Sequence, residues 1–237
     1  MSIFSNTIES GKMDMEVPMV ARVRQTFQEI NSRLSDLDLS RDILLDIVRA
    51  AVAAHAGCTD NDPPGARGYE SWRAGVRRSR EVLLPLGWTR DNSGGYCTCV
   101  NHEKMIRLAI LNSDDGAGTE DRVPQNRSKK GPNSDRAAAA NRTFFQPGLF
   151  GDDEWPVQDH DAEPVDLSDF ATWHLCIHID NDNVQADLCM LENFEGGFAS
   201  GFLEKIILVA PGEWNQLPNT DKDDDDDQDF TIDVQRK

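Results

Sequence analysis

TWHLCIHIDNDNVQADLCML, residues 172–191, contains the pattern that decides the fold. Apolar and polar residues alternate on both sides of DNDN, and a period of two is typical of a half-covered β-strand. A turn at residues 180–183 pairs Ile177 with Ala186 and Leu175 with Leu188, which makes one face of the hairpin wholly apolar. We therefore predict an antiparallel hairpin in this register.

The other face of this hairpin carries side chains that bind metals. The register places on it His174, Cys176, His178, Asp187 and Cys189. Zinc takes four N, S or O ligands, and an H-x-H pair with ligands from the neighbouring strand meets that need. Cys97, Cys99 and His102 are candidate additional ligands. No C-x-x-C or H-E-x-x-H motif accompanies them, so plain packing is the alternative and we expect no cofactor.

The sequence pattern of the N-terminal part of the chain predicts helices. Apolar residues at helical spacing predict the first of them: Val20, Val23, Phe27, Ile30 and Leu34. A second helix is capped by Ser40 and ends at Gly57, and we expect it to pack against the first as a hairpin. A third helix is predicted from Tyr69 to Leu84, because Pro85 ends it.

The C-terminal part predicts mainly strands. YCTCVNH (96–102) and MIRLAIL (105–111) alternate like two adjacent strands. FLEKIILVA (202–210) is rich in β-branched residues between glycines and a proline, which favours a strand over the alternative of a helix. Between them, Ser134 is the predicted cap of a short alanine-rich helix that runs to about Phe145.

These elements predict one α+β domain at residues 16–217, with N-terminal helices packed on a mostly antiparallel sheet. The expected divisions are a flexible N-terminus at 1–15, a helical part at 16–90, a sheet-rich part at 94–217 and an acidic tail at 218–237. Residues 151–169 are acidic and contain proline, so we expect a mobile linker there. The tail contains DKDDDDDQD, whose charges repel one another, and should be disordered.

The charge of the chain is unevenly distributed. Forty-two acidic and 24 basic residues give a formal net charge of -18, yet two stretches, residues 67–90 and 122–142, are basic. The candidate phosphate-binding residues in these two basic islands are Arg73, Arg77, Arg80, Arg127, Lys129, Lys130 and Arg136. The alternative is that the islands neutralise the protein's own acidic segments.

The expected location is cytoplasmic, and we expect no membrane partner. No apolar run approaches the ~20 residues that span a bilayer, and the N-terminus does not resemble a signal peptide. Five cysteines without a regular framework are then expected to be reduced thiols.

A second candidate for chemistry is the acidic glycine loop LNSDDGAGTED, residues 111–121. Carboxylates such as Asp114 and Asp115 at the end of a strand hold Mg²⁺ in many phosphoryl-transfer enzymes and nucleases. No P-loop, EF-hand or kinase motif accompanies them, and acidic glycine loops are usually solvated turns. Zinc or magnesium is therefore the alternative to the absence of a cofactor.

QPGLF, residues 146–150, directly follows the alanine-rich helix. It resembles the Gln-x-x-Leu-Phe pentapeptide by which bacterial replication and repair proteins bind the sliding clamp of DNA polymerase, although Pro-Gly replaces the more usual Leu-Ser or Leu-Asp. The resemblance covers five residues. It implies that Gln146 hydrogen-bonds at a pocket rim while Leu149 and Phe150 fill an apolar cleft. The alternative is that Leu149 and Phe150 pin the helix onto the sheet.

The function expected from these features is that of a non-enzymatic interaction protein, bacterial and carried by a mobile element. It would dock on the sliding clamp through Gln146, Leu149 and Phe150 while its basic islands face DNA or another partner. A metal-dependent nuclease or hydrolase is the first alternative. The second is an acidic DNA mimic that inhibits a DNA-binding enzyme.

Overall fold

The computed structural model describes residues 21–145, 170–181 and 183–217. Within these ranges it contains four α-helices and one seven-stranded sheet. The helices are α1 (Phe27–Asp36), α2 (Arg41–Ala56), α3 (Ala66–Leu83) and α4 (Pro132–Phe145). The strands are β1 (Arg22–Arg24), β2 (Thr89–Asp91), β3 (Thr98–Asn101), β4 (Ile106–Asn112), β5 (Ala171–Asp180), β6 (Asn183–Glu195) and β7 (Phe198–Val209). The protein is therefore an α+β protein, as predicted.

The sheet has the order β1-β7-β6-β5-β4-β3-β2 and is mostly antiparallel. Only the β1–β7 and β4–β5 pairs are parallel among the described strands. The hairpin of β5 and β6 has the predicted register, with Ile177 opposite Ala186 and Leu175 opposite Leu188. Asn181 in its turn adopts a φ of 50°, a conformation that asparagine tolerates in tight turns. The strand prediction for residues 202–210 is confirmed, and the helix alternative is wrong.

The main core lies between the first face of the sheet and the helices α2 and α3. Apolar residues recur along one side of α2, where Leu44, Ile47 and Ala51 are fully buried, because positions three and four apart share a helix face. The predicted cap is present: the Ser40 hydroxyl accepts a hydrogen bond from the Ile43 amide at 3.3 Å. Trp173 of β5 is buried on the sheet side of this core. Each large side chain buried in this way contributes about 1.5–3 kcal/mol.

The prediction for the first helix is wrong at its N-terminal end. Residues Arg22–Arg24 form β1, which pairs with Glu204–Ile206 of β7. The helix begins only at Phe27, after a capping box in which Thr26 and Glu29 bond each other's backbone amides. Phe27 is 73% exposed, although its spacing suggested a core position. Val23 was assigned to the helix because local periodicity cannot detect its parallel partner strand, which lies about 180 residues away in sequence.

Three smaller corrections concern the other helices. The principal helical partner of α2 is α3, whereas α1 makes few contacts with α2 and is tied to β7 by an ion pair of 2.9 Å between Arg33 and Glu204. The helix α3 begins three residues before Tyr69. The helix α4 begins at Pro132, so Ser134 lies in its first turn instead of capping it; proline suits this position because the first helical amides have no intrahelical partner.

Some sequence predictions fall outside the described residues. These are the flexible N-terminus (1–15), the linker (151–169), the acidic tail (218–237) and the QPGLF segment (146–150). Among the helices that the structure describes, none is long and apolar enough to cross a membrane.

Candidate functional site

The second face of the hairpin is buried rather than open to solvent. The predicted metal-binding residues lie together on it as the register required, and each is at most 6% exposed: His174, Cys176, His178, Asp187 and Cys189. Residues 113–131, which we call the covering loop, lie over this face. The loop is attached there by the Gly118 amide, which donates to the Asp187 carboxylate at 2.9 Å.

Lys205 of β7, which the sequence analysis did not single out, occupies the centre of this face. Its ammonium is fully buried and lies 3.6 Å from the Asp187 carboxylate. It also donates to three carbonyl oxygens of the covering loop, those of Gly116 (3.4 Å), Thr119 (2.9 Å) and Arg122 (2.5 Å). The positive charge beside Asp187 is therefore supplied by the protein itself, and a metal ion would have to displace this ammonium.

Burial determines the protonation of the other groups here. It raises the pKa of Asp187 to about 6, against the opposing effects of Lys205 and the Gly118 amide. Burial and the nearby Asp187 charge raise the pKa of the Cys176 and Cys189 thiols well above the usual value. Zinc binds the thiolate, so a zinc ion would have to displace the proton of each thiol.

The two histidines of the face are already hydrogen-bonded. His174 Nε2 lies 2.5 Å from the Tyr96 hydroxyl. Burial, together with the charges of Lys130 and Arg107, lowers the pKa of His174 to about 3, so its imidazole is neutral at pH 7. His178 Nδ1 lies 3.4 Å from the Ser113 carbonyl oxygen.

The additional zinc ligands considered from the second hairpin do not join this face. Cys99 packs in the main core, on the helix side of the sheet, with its sulfur 3.7 Å from the Ser79 hydroxyl. His102 lies at the edge, 2.9 Å from the Thr89 hydroxyl. Within the described ranges, no group of three or more His, Cys, Asp and Glu side chains is arranged to hold a metal ion.

The carboxylates proposed for magnesium organise the covering loop. Asp114 Oδ1 accepts hydrogen bonds from the Gly116 and Gln125 amides, both at 3.0 Å. Asp115 pairs with Arg122 at 2.6 Å, and this hydrogen bond lowers the pKa of Asp115. Asp114 thus acts as a turn residue, and the charge of Asp115 is balanced within the loop.

The first basic island lies mainly on α3, where Arg73, Arg77 and Arg80 lie along one side of the helix; Arg80 is half-buried and donates to the Asn92 side chain at 2.6 Å. The side chains of Arg73 and Arg77 are 51% and 67% exposed. Each has an acidic neighbour on the helix, Glu70 at 2.6 Å and Glu81 at 3.5 Å. Such exposed pairs contribute at most about 1 kcal/mol, so a phosphate could compete for the guanidinium groups.

The residues of the second basic island differ in their exposure to solvent. Arg127, Lys129 and Arg136 are exposed, whereas Lys130 is half-buried and its charge acts on His174 below the covering loop. The charges of Arg67 and Arg127 both lower the pKa of His55. The two basic islands, separated by more than 30 residues in sequence, therefore approach each other at the C-terminal end of α2.

The helix α4, which leads into QPGLF, is fixed to the sheet by Asn141. Its side-chain amide donates to the Thr172 and Leu191 carbonyl oxygens at 3.0 and 2.7 Å, and its oxygen accepts from the Thr172 amide at 2.6 Å. Phe144 and Phe145, the last two helical residues, pack against the main core. The anchoring of α4 is thus achieved by residues that precede the pentapeptide.

Neither Asn141 nor Lys205 carried a signal in the sequence that could have identified its role, since each resembles an ordinary polar residue of a helix or strand. Comparisons of this chain with models of protein families, with curated proteins and with solved structures found no match.

Proposed function

We propose that this protein is a non-enzymatic docking protein that binds the sliding clamp of DNA polymerase through Gln146, Leu149 and Phe150. The supporting observation is the anchoring of α4: Asn141, Phe144 and Phe145 attach the helix to the sheet and core. These three residues can hold the helix in place without a contribution from Leu149 and Phe150. The pentapeptide begins at the residue after the helix, so a rigid element would present it.

The proposed binding mode is a small hot spot. Two large apolar anchors and one polar residue on a short peptide can carry most of the energy of such an interface. Pro147 restricts the unbound chain and lowers the cost of ordering it. In this proposal the protein works in the cytoplasm of a bacterium, and its gene is carried by a mobile element.

The chemistry of the buried polar face supports a non-enzymatic role. Asp187 is bonded by Lys205 and Gly118, His174 is neutral and bonded to Tyr96, and the thiols are held protonated. All these groups lie under the covering loop, out of reach of a substrate. The residues that would face DNA are the exposed bases Arg73, Arg77, Arg127, Lys129 and Arg136, together with the half-buried Arg80; the half-buried Lys130 acts on His174.

The test is capture of the full-length protein by purified bacterial sliding clamp. The double variant Leu149→Ala/Phe150→Ala should lose binding by at least about tenfold, because truncating two hot-spot anchors costs several kcal/mol. Val157→Ala/Leu167→Ala is the matched control, since it removes two apolar side chains of the neighbouring segment outside the motif, and it should bind like wild type. Equal capture of wild type and the 149/150 variant would refute the proposal.

A further inference from the structure

An exposed aromatic ring lies in line with the arginines of α3. We call Tyr69, Trp72, Arg73, Arg77 and Arg80 the α3 stripe. Tyr69 is 58% exposed, and its ring lies 6.1 Å from that of the half-buried Trp72. Residues 69, 73, 77 and 80 follow one another at spacings of four, four and three, which places them along one side of the helix. From Tyr69 to Arg80 the stripe extends about 16 Å.

The orientation of the stripe is fixed by packing on the opposite side of α3. Ser71, Ala74, Gly75 and Ser79 are buried there. A Cβ added at Gly75 would lie only 3.0 Å from Ile110 of β4, so the helix and the sheet are in close contact. Tyr69, Arg73 and Arg77 are consequently held outward, whereas Arg80 at the end of the stripe is half-buried.

The fold adds arginines from other segments at both ends of the stripe. At its N-terminal end, the charges of Arg67 and Arg127 both reach His55. Arg127 is held there by a backbone bond of 3.1 Å to Asn112, whose side chain donates to the Gly68 carbonyl oxygen of α3 at 2.6 Å. At the other end, burial raises the pKa of Cys99 while Arg80 and Arg90 of β2 both lower it, so these two arginines lie near the same thiol.

A surface of this composition matches the chemistry of single-stranded nucleic acid. An exposed tyrosine ring offers a stacking surface for an unpaired base, and flanking guanidinium groups pair with the phosphates. A duplex keeps its bases stacked on each other and cannot use such a ring without being opened. The acidic neighbours Glu70 and Glu81 form only exposed pairs, which a phosphate displaces at small cost.

We propose that the α3 stripe binds single-stranded nucleic acid, with a base stacked on Tyr69 and phosphates held by Arg73, Arg77 and Arg80. This inference rests on the proposed function in that it names the kind of DNA that the basic islands face. It does not depend on clamp docking, because the stripe and QPGLF share no residue.

The test measures anisotropy of a fluorescently labelled 20-nucleotide oligo(dT) titrated with full-length protein at low salt. Tyr69→Ala should weaken binding about tenfold, as stacking contributes roughly 1–3 kcal/mol per base, whereas Tyr69→Phe should retain it because the ring remains. Phe27→Ala, which removes another exposed aromatic side chain, is the matched control and should bind like wild type.

The arginines are tested through salt. Replacing Arg73, Arg77 and Arg80 by serine should reduce the slope of log affinity against log salt by about 2, as expected for three lost phosphate contacts on a single strand. An unlabelled duplex of the same length should compete poorly. Absence of saturable binding, equal binding by Tyr69→Ala, or equal competition by the duplex would each overturn the proposal.

The two proposals fail separately. The Leu149→Ala/Phe150→Ala variant should bind the oligonucleotide like wild type, and the stripe variants should bind the clamp like wild type. Loss of clamp capture alone would leave the stripe intact. Loss of oligonucleotide binding alone would leave the docking proposal intact.

Discussion

At the scale of single residues, the most unusual feature is the buried ammonium group of Lys205. A fully buried ammonium is costly to desolvate, and it is tolerated here because Asp187 and three loop carbonyls surround it. The bonds to the three carbonyl oxygens also attach the covering loop to β7. One side chain thus balances a buried charge and holds an irregular segment in place.

Lys205→Met should destabilise the protein by about 3–5 kcal/mol at pH 7, because it leaves the Asp187 carboxylate buried without its partner. The measurement is urea unfolding. Lys104→Met is the control: Lys104 forms an exposed pair with Asp38 at 3.4 Å, and its loss should cost less than about 1 kcal/mol. At pH 5 the cost of Lys205→Met should shrink, since Asp187 then takes up a proton. Similar losses for the two lysines would contradict this role.

His174 should make folding stability depend on pH. Its pKa is about 3 in the folded protein against 6.5 for an exposed histidine, so the unfolded chain binds a proton that the folded one excludes. This contribution is complete above pH 6.5 and is lost progressively as the pH falls towards 3. It amounts to about 5 kcal/mol, at about 1.4 kcal/mol per pKa unit. Asp187, whose folded pKa of about 6 is raised, opposes it between pH 6 and 4.

The measurement is the free energy of unfolding from pH 7 to pH 4 in wild type and His174→Phe. The variant should lose less stability on acidification than wild type, whatever its stability at pH 7. His102→Gln, a change at an exposed histidine, should leave the wild-type slope unchanged. Parallel profiles for wild type and His174→Phe would show that the buried imidazole does not resist protonation.

At the scale of elements, the side chain of Asn141 attaches α4 to the sheet. Asn141 inserts its amide between the main chains of β5 and β6 and satisfies three backbone groups. Buried backbone groups must be paired, so the asparagine replaces ladder bonds that the two strands would otherwise make. The helix and the hairpin are therefore expected to unfold together.

Asn141→Ala should destabilise the protein by about 2–4 kcal/mol, because buried backbone groups of Thr172 and Leu191 lose their partners. Hydrogen exchange should show the Thr172 amide losing protection ahead of the amides in the middle of β5. The exposed neighbour Ala139 provides the control, and Ala139→Ser should change stability by less than about 0.5 kcal/mol. A loss of the same small size for Asn141→Ala would show that water replaces the amide.

At the scale of the whole molecule, the net charge and the local grouping of arginines act in opposite directions on the binding of a polyanion. The chain carries a formal charge of -18, yet the fold brings arginines from α3, β2 and the covering loop to one side. Long-range attraction of a polyanion is weakened by the net charge, so binding to the α3 stripe depends on short-range stacking and on pairs formed at contact. Clamp docking through two apolar anchors is much less sensitive to this charge.

Much of the architecture could be predicted from local patterns. The alternation in residues 172–191 determined the hairpin, its register and the residues on each face, because a shift by one residue would expose the apolar set. The cap at Ser40 determined the start of α2, and the stop at Pro85 determined the end of α3 to within one residue. The α+β class followed from the order of these elements.

Only the tertiary structure decided which residues pack against the second face of the hairpin. Local sequence placed two histidines, two cysteines and an aspartate together, but it could not show that Lys205 and the covering loop would fill the space beside them. Strand β1 and the anchor at Asn141 escaped prediction for the same reason. Pairing between strands and burial of charge depend on partners far away in sequence, and periodicity reports only the side of an element on which a residue lies.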